Sequence, residues 1–132
     1  MHVLEIKSDI SNISKVESLI DEVCADLSVN EDLYGNILIA VTEATNNAII
    51  HGNKNVMDRL VVLNVNKENK ELIFSILDEG KGFDYEKLPD PTAPENIENP
   101  DGRGVFLMRN LSDKIEFFDN GSKVNITFAL NE

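Results

Sequence analysis

A long amphipathic helix is predicted for residues 31–51, and the rest of the chain has to cover its apolar face. Its core-facing positions recur at helical spacing and fall on one side of the helix at about 100° per residue. These positions are Ile37, Val41, Ala44 and Ala48. Glu31 and Asp32 are typical of a first helical turn, and Gly52 follows the predicted end.

The remaining pattern predicts two further helices and five strands. One helix is expected at residues 12–27, the strands at 2–7, 59–66, 71–77, 114–118 and 123–130, and a short helix at 104–111. Because the helices come early and the hairpins later, the predicted fold class is α+β. We expect a two-layer sandwich in which helices cover one face of a mostly antiparallel, mixed sheet. The 132 residues suit a single domain spanning residues 1–132.

A proline-rich stretch interrupts this pattern. Residues 81–103 contain all four prolines and few large apolar side chains. A segment of this length inside a small domain is usually functional or mobile. We therefore predict a lid over the functional site at about residues 84–103.

The charge balance excludes two classes of partner. The formal net charge is −12, from 24 acidic and 12 basic residues, and the basic residues are scattered. Such a chain repels nucleic acid and anionic lipid surfaces.

The single cysteine, Cys24, rules out an internal disulfide, and its position indicates a role in packing. Without a signal peptide or an apolar run of about 20 residues, a cytoplasmic location and no membrane association are expected.

A row of polar side chains follows one edge of the long helix. Glu43, Asn47 and His51 are four residues apart and lie about 40 to 120° to one side of the core face. They are either the solvated shoulder of an amphipathic helix or the wall of a cleft. Asn47 favours the cleft, because an amide beside a core needs partners and its oxygen suits Mg²⁺. Glu43 is then a candidate base, whereas His51 either caps the helix or contacts ligand. Asn46 is expected to point away from the core.

A glycine-bearing segment follows the strand predicted at residues 71–77. It reads DEGKGF from Asp78 to Phe83, a pattern that on its own more often forms a turn than a site. A buried carboxylate at Asp78 can accept a hydrogen bond from an amine such as that of adenine. Gly80 and Gly82 would let a flat ring approach the backbone.

A second glycine segment, DGRGVFLM at residues 101–108, precedes the short apolar helix. Backbone N–H groups after Gly102 and Gly104 would bind phosphate at the helix start, and Arg103 adds a positive charge. Neither a dinucleotide fingerprint nor a P-loop is present.

Together the three segments resemble the GHKL ATPase superfamily, whose members share the Bergerat nucleotide-binding fold. Residues 43–52, EATNNAIIHG, resemble its N box, and residues 78–83 and 102–108 resemble its two glycine boxes. The order and spacing of these boxes agree over about residues 10–130.

The resemblance implies ATP and Mg²⁺ as cofactors. It implies that Glu43 is the catalytic base, that Asn47 coordinates Mg²⁺ and that Asp78 contacts adenine. The nucleotide-binding residues that it implies are Asn47, His51, Asp78, Gly80, Gly82, Phe83, Gly102, Arg103, Gly104 and Val105.

Within the superfamily, the compact length and the wording of the boxes look most like bacterial anti-sigma factor/serine kinases. That likeness implies sequestration of a sigma factor and phosphorylation of a serine or threonine on a STAS-domain anti-anti-sigma partner, often by a homodimer. Two alternatives stay open. One is a nucleotide-dependent switch or partner-binding module without catalysis, since only Lys81, Lys87 and Arg103 supply positive charge near the lid. The other is the catalytic subunit of a split histidine kinase.

Overall fold

The computed structural model describes residues 2–80 and 100–130, and for residues 100–104 and Asn120 it describes the backbone alone. In chain order the elements are β1 (His2–Lys7), α1 (Ile13–Asp26), α2 (Glu31–Asn47), β2 (Leu60–Glu68), β3 (Glu71–Leu77), α3 (Pro100–Leu111), β4 (Lys114–Phe118) and β5 (Lys123–Ala129). The strands predicted at residues 2–7, 71–77 and 114–118 are confirmed with the same bounds. β2 and β5 differ from their predicted bounds by at most two residues at either end.

The described strands form one sheet in the order β1-β2-β3-β5-β4. All four pairings between them are antiparallel, whereas the prediction was a mostly antiparallel, mixed sheet. The helices gather on one face, because α1 contacts β1, α2 contacts β3 and β5, and α3 packs on α2. The predicted α+β, two-layer fold is therefore confirmed. Of the predicted lid, residues 84–99 lie outside the described residues and residues 100–103 belong to α3.

The start of α2 is set by a capping side chain. Asn30 precedes the helix, and its Oδ1 accepts a hydrogen bond from the backbone N–H of Leu33 at 2.8 Å. This bond satisfies a donor that the first helical turn leaves without an intrahelical partner. Glu31 and Asp32 occupy the first turn as predicted, where carboxylates interact favourably with the helix dipole.

The core lies between the sheet and the helices. Alternate residues of the central strands point into it, as the period of two predicts. They are Val61, Leu63, Val65, Leu72, Phe74, Ile76, Val124, Ile126 and Phe128. Phe74 and Phe128 meet edge to face, with ring centroids 6.0 Å apart and an interplanar angle of 85°. The four residues predicted to face the core, three in α2 and Ala48 directly after it, are all buried, so this prediction is confirmed.

Cys24 is part of this core, on the buried side of α1. Burial, with a smaller contribution from the charge of Asp21, raises the pKa of its thiol to about 11. A thiol that stays protonated at neutral pH is a poor nucleophile, which agrees with the packing role predicted for it. Among the described residues, no helix combines the length and apolar character that a bilayer crossing requires.

Candidate functional site

Asn47 is the last residue of α2, and only 8 % of it is exposed. Its buried Nδ2 atom has no hydrogen-bond partner in the described part of the chain. Leaving such a group unsatisfied costs about 1–3 kcal/mol. Because rotation of the amide exchanges its oxygen and nitrogen, either atom can be offered to a ligand. The predicted cleft residue is therefore a buried polar group with unused bonding capacity.

A π turn, Ala48–Gly52, continues the chain directly from α2. It is closed by the backbone N–H of Asn53, which donates to the carbonyl of Ala48 at 2.8 Å. The helical path therefore ends at Gly52, one residue later than predicted, and His51 lies within the π turn. Single π turns inserted in helices are frequent at functional sites. Glu43 and His51 are both half-buried.

Asn46 differs from its prediction. The helical pattern places it opposite the core, yet the residue is half-buried and its Oδ1 is buried without a partner in the described structure. The reason is that α1 and α3 contact α2 in addition to the sheet. A helix with neighbours on several sides has less exposed surface than a two-layer pattern implies.

Asp78 directly follows β3, and both its backbone and its side chain are anchored. Its N–H donates to the carbonyl of Ser122 at 2.9 Å, and its Oδ1 accepts from the backbone N–H of Gly80 at 2.8 Å. Partial burial raises the pKa of the carboxyl above its ordinary value, against the opposing effect of the Gly80 N–H. A carboxylate retains further acceptor capacity beyond one bond, so Asp78 can accept from a ligand donor.

Two glycines bring the end of the π turn against Asp78. A Cβ atom at Gly52 would lie 2.2 Å from Oδ2 of Asp78. A Cβ atom at Gly80 would lie 1.9 Å from the carbonyl oxygen of Gly52. Both positions exclude a side chain unless neighbouring atoms move. From the sequence, Gly80 was assigned to the site, whereas Gly52 was placed at the end of the helix and of the N-box segment and was given no site role.

Asn53 connects this region to the first strand and was missed in the sequence. It is 0 % exposed. Its Nδ2 donates to Ser8 Oγ at 2.8 Å and to the carbonyl of Leu60 at 3.0 Å, and its Oδ1 accepts from the Glu79 N–H at 2.8 Å. The contacts join residues 45 and 26 positions apart in the chain, which no local pattern reveals.

A pocket brings the predicted segments together between α2, α3 and the sheet. It is a small, partly open cavity with a volume of about 10 Å³. Its lining consists of Ala44, Asn47, Ala48, Ile76, Asp78, Met108, Phe117, Gly121 and Val124. Glu43 and His51 are not part of this lining. Ile76 precedes Asp78 by two residues, so strand alternation was the signal that could have placed both on the pocket side.

The second glycine segment is arranged differently from its prediction. The helix expected at residues 104–111 begins at Pro100, so Gly102, Arg103 and Gly104 lie inside its first turns. Proline is common at the first helical position, and this signal was present in the sequence. Val105 is buried in the core. Gly82 and Phe83 lie outside the described residues.

The sequence matches the family of histidine kinase-like ATPase domains over residues 6–128. The chain belongs to this family. The match begins within β1, ends within β5 and includes the three helices and the residues that line the pocket, and the family is part of the GHKL superfamily.

Curated relatives add a more specific likeness. The chain is 32 % identical over 113 residues to an anti-sigma F factor of Clostridium beijerinckii, covering 81 % of this chain and 78 % of the relative. It is 32 % identical over 136 residues to an anti-sigma F factor of Bacillus velezensis, covering 100 % of this chain and 90 % of the relative. Within the family, the chain is therefore anti-sigma factor-like.

Solved structures confirm the fold alone. The RsbU and RsbW domains of Rv1364c from Mycobacterium tuberculosis align with a TM-score of 0.62 at 14 % identity, covering 99 % of this chain. The present chain spans only 32 % of that protein. A histidine kinase domain of a blue-light activated kinase from Erythrobacter litoralis aligns with a TM-score of 0.55 at 17 % identity, covering 95 % of this chain and 62 % of that one.

Proposed function

We propose that the chain binds Mg²⁺-ATP in this pocket, phosphorylates a serine or threonine of a protein partner and also binds a sigma factor. One observation carries the ATP-binding part. The buried amide of Asn47, which has unused bonding capacity, lines the same pocket as the half-buried carboxylate of Asp78. An apolar pocket with a few convergent polar groups is typical of small-molecule sites.

The pocket residues fit the cofactor chemically. Amide oxygens suit Mg²⁺, so Asn47 would contribute a ligand to the metal. Asp78 would accept a hydrogen bond from the exocyclic amine of adenine. Bound Mg²⁺-ATP supplies the phosphoryl group and a cation that neutralises its charge. Glu43, one helical turn before Asn47, would accept the proton of the attacking hydroxyl.

The other nucleotide contacts are part of the proposal. They are expected from His51, Gly80, Gly82, Phe83, Gly102, Arg103, Gly104 and Val105. The side chain of Val105 is buried in the core, and its N–H lies beyond the first four residues of α3, so its contact would require the first turns of α3 to open. A single domain with a lid at about residues 84–103 belongs to the same proposal.

The partners are inferred from the relatives and from charge. Relatives named anti-sigma F factor, about as long as this chain, support a sigma factor as the first partner. The family likeness supports a STAS-domain anti-anti-sigma protein as the phosphate acceptor, and a homodimer as the working form. The net charge of −12 favours protein partners over nucleic acid.

A second candidate function is a switch that holds nucleotide without transferring phosphate. The observation in its favour is that Glu43 is absent from the described lining of the pocket. Closure of a site around substrate can bring a base into position, so the arrangement without ligand does not decide between the two functions.

The deciding experiment is a calorimetric titration of ATP, with and without Mg²⁺, into the native protein and into Asn47→Ala. We expect Mg²⁺-dependent binding that Asn47→Ala loses, whereas the control Asn36→Ala, on the same helix, binds like the native protein. Absence of ATP binding by the native protein would overturn the proposed site.

Catalysis is tested with labelled ATP and candidate STAS partners. Glu43→Gln should bind ATP but transfer at least about a hundredfold less phosphate, the range for losing a general base. Glu22→Gln, which changes an exposed carboxylate of α1, is the control. Unchanged transfer by Glu43→Gln removes Glu43 from the mechanism. Acid-labile phosphate on the acceptor would indicate a histidine kinase instead.

A further inference from the structure

Asn53 uses nearly all of its side-chain bonding capacity inside the protein. Both amide hydrogens of its Nδ2 are donated, one to Ser8 Oγ and one to the carbonyl of Leu60, and its Oδ1 accepts from Glu79. With 0 % exposure it cannot touch a ligand from solvent. A fully satisfied buried amide holds its partners in one geometry.

The partner that matters for the pocket is the Glu79 N–H. That N–H belongs to the peptide group joining Asp78 to Glu79, so Asn53 fixes the backbone on the C-terminal side of Asp78. The carbonyl of Ser122 fixes the N-terminal side through the Asp78 N–H. Both peptide groups that flank the pocket carboxylate are therefore held, one by Ser122 in the turn before β5 and the other by Asn53.

The side chain of Glu79 reinforces this arrangement. Its Oε2 accepts a hydrogen bond from the backbone N–H of Leu60, the residue whose carbonyl Asn53 also holds. Ser8 in turn donates its hydroxyl to the carbonyl of Arg59 at 2.7 Å. Asn53 is thus the point where the end of β1, the start of β2 and the end of β3 meet.

The carboxylate of Asp78 has little freedom once its backbone is set. It packs against Gly52, where a Cβ would approach Oδ2 to 2.2 Å, and it accepts from Gly80 through Oδ1. A shift of the Asp78 to Glu79 peptide would move the carboxylate relative to the pocket floor, which includes Ile76 and Val124. Hydrogen-bond recognition of a small ligand is sensitive to such shifts.

We propose that Asn53 is a positioning residue for base recognition, which holds the Asp78 carboxylate where it selects a purine bearing an exocyclic amine. This inference rests on the proposed ATP site and adds the residue that sets its specificity. Asn53 acts through the Glu79 backbone and not by touching the base.

The test compares two ligands that differ only in the amine. ATP and the same triphosphate carrying unsubstituted purine in place of adenine are titrated into the native protein and into Asn53→Ala. The native protein should prefer ATP by about tenfold or more, and Asn53→Ala should reduce this preference to about threefold or less. The affinity for the purine analogue should differ little between Asn53→Ala and the native protein.

The control is Asn125→Ala, which makes the same chemical change on β5. Asn125 Oδ1 accepts a hydrogen bond from Ser75 Oγ at 2.7 Å, on the strand that leads to Asp78. Its loss should leave the preference for ATP unchanged. If Asn53→Ala weakens both ligands equally, or leaves the preference intact, Asn53 is only structural and the inference is overturned.

A second variant separates positioning from stability. Asn53→Asp keeps the Oδ1 acceptor for the Glu79 N–H but loses both donations of Nδ2, so it should be less stable and still prefer ATP. Loss of the preference in folded Asn53→Asp contradicts the proposal. Should neither variant fold, hydrogen exchange of the Glu79 amide in the native protein decides, since the proposal requires it to be protected.

The proposed function and this inference fail differently. A native protein that binds neither ligand, or binds both equally, refutes the adenine contact of Asp78 and with it the role of Asn53. A native preference that survives in Asn53→Ala refutes only the role of Asn53.

Discussion

Two asparagines six positions apart, Asn47 and Asn53, are buried in opposite ways. Both are nearly or fully excluded from solvent, at 8 % and 0 % exposure. Asn53 has a partner for each of its donors, whereas the Nδ2 of Asn47 has none in the described structure. Burial alone therefore does not distinguish a structural amide from a candidate binding amide. Asn47 differs from Asn53 in its missing partner, and from Asn46, whose Oδ1 also lacks one, in lining the pocket.

The difference follows from the cost of an unpaired polar group. A satisfied buried amide contributes about 1 kcal/mol of net stability for each hydrogen bond, whereas an unsatisfied one costs about 1–3 kcal/mol. An unsatisfied buried group in a native protein therefore needs an explanation, and a bound ligand, ion or water that supplies the missing partner is one. Under the proposed function, the α2 side of the pocket supplies a ligand contact, whereas the region around Asn53 holds its shape.

The largest predicted effect concerns the shape of the Asn53 region. Gly80→Ala should lower the free energy of unfolding by about 3 kcal/mol or more, at the upper end for an overpacked site. The reason is the backbone carbonyl of Gly52, 1.9 Å from the added Cβ, which cannot move aside as a side chain would. Urea denaturation measures the loss.

The matched control is Gly35→Ala in the interior of α2, where an added Cβ meets nothing within 4 Å. It should raise the free energy of unfolding by about 0.5–1 kcal/mol, because alanine is the better helix former. Equal stability of Gly80→Ala and the native protein would mean that the region around Asn53 accommodates an added side chain. The contrast between a rigid region around Asn53 and a binding region around Asn47 would then not hold.

The second prediction tests the binding side. Asn47→Leu should raise the stability of the ligand-free protein by about 1–2 kcal/mol, because an apolar side chain of similar size replaces an unsatisfied amide. The same variant should lose Mg²⁺-dependent ATP binding. Thermal denaturation without nucleotide and calorimetry with it give the two readouts. A destabilised Asn47→Leu protein would show that the amide has a structural partner.

Much of this contrast was visible in the sequence. The core face of α2 and the bounds of β1, β3 and β4 follow from periodicity, which the folded chain preserves. Asn47 was recognisable because asparagine is an unfavourable residue beside a helical core. These predictions succeed because local spacing determines which side of an element is buried.

The contributions of Asn53 and Gly52 could not be predicted in the same way. Each depends on contact with residues near position 78, 25 or more positions away in the chain. The π turn also changes which residues continue the surface of α2, since it departs from the regular helical period. The earlier start of α3 could have been predicted, because proline is common at the first position of a helix and Pro100 stands there. The prediction instead began the helix at Gly104, after the glycine pattern.

The smallest predicted effect is the pH dependence of Asp78, which joins the two regions. Burial raises the pKa of its carboxyl in the folded protein, so ionisation costs more in the folded than in the unfolded chain. The stabilising contribution of this group is full below its unfolded pKa and is lost as the pH rises through its higher folded pKa. Asp78→Asn should therefore be slightly more stable than the native protein at neutral pH, and this advantage should vanish in acid.

ATP binding should change in the opposite sense, since only the ionised carboxylate accepts from the amine without a competing proton. Native affinity should fall as the pH is lowered through a value above that of an ordinary aspartate, whereas Asp78→Asn should show weak binding without this transition. Stability curves and titrations across the acid range measure both. An affinity that is flat with pH in the native protein would show that the carboxylate held by Asn53 does not contact the base.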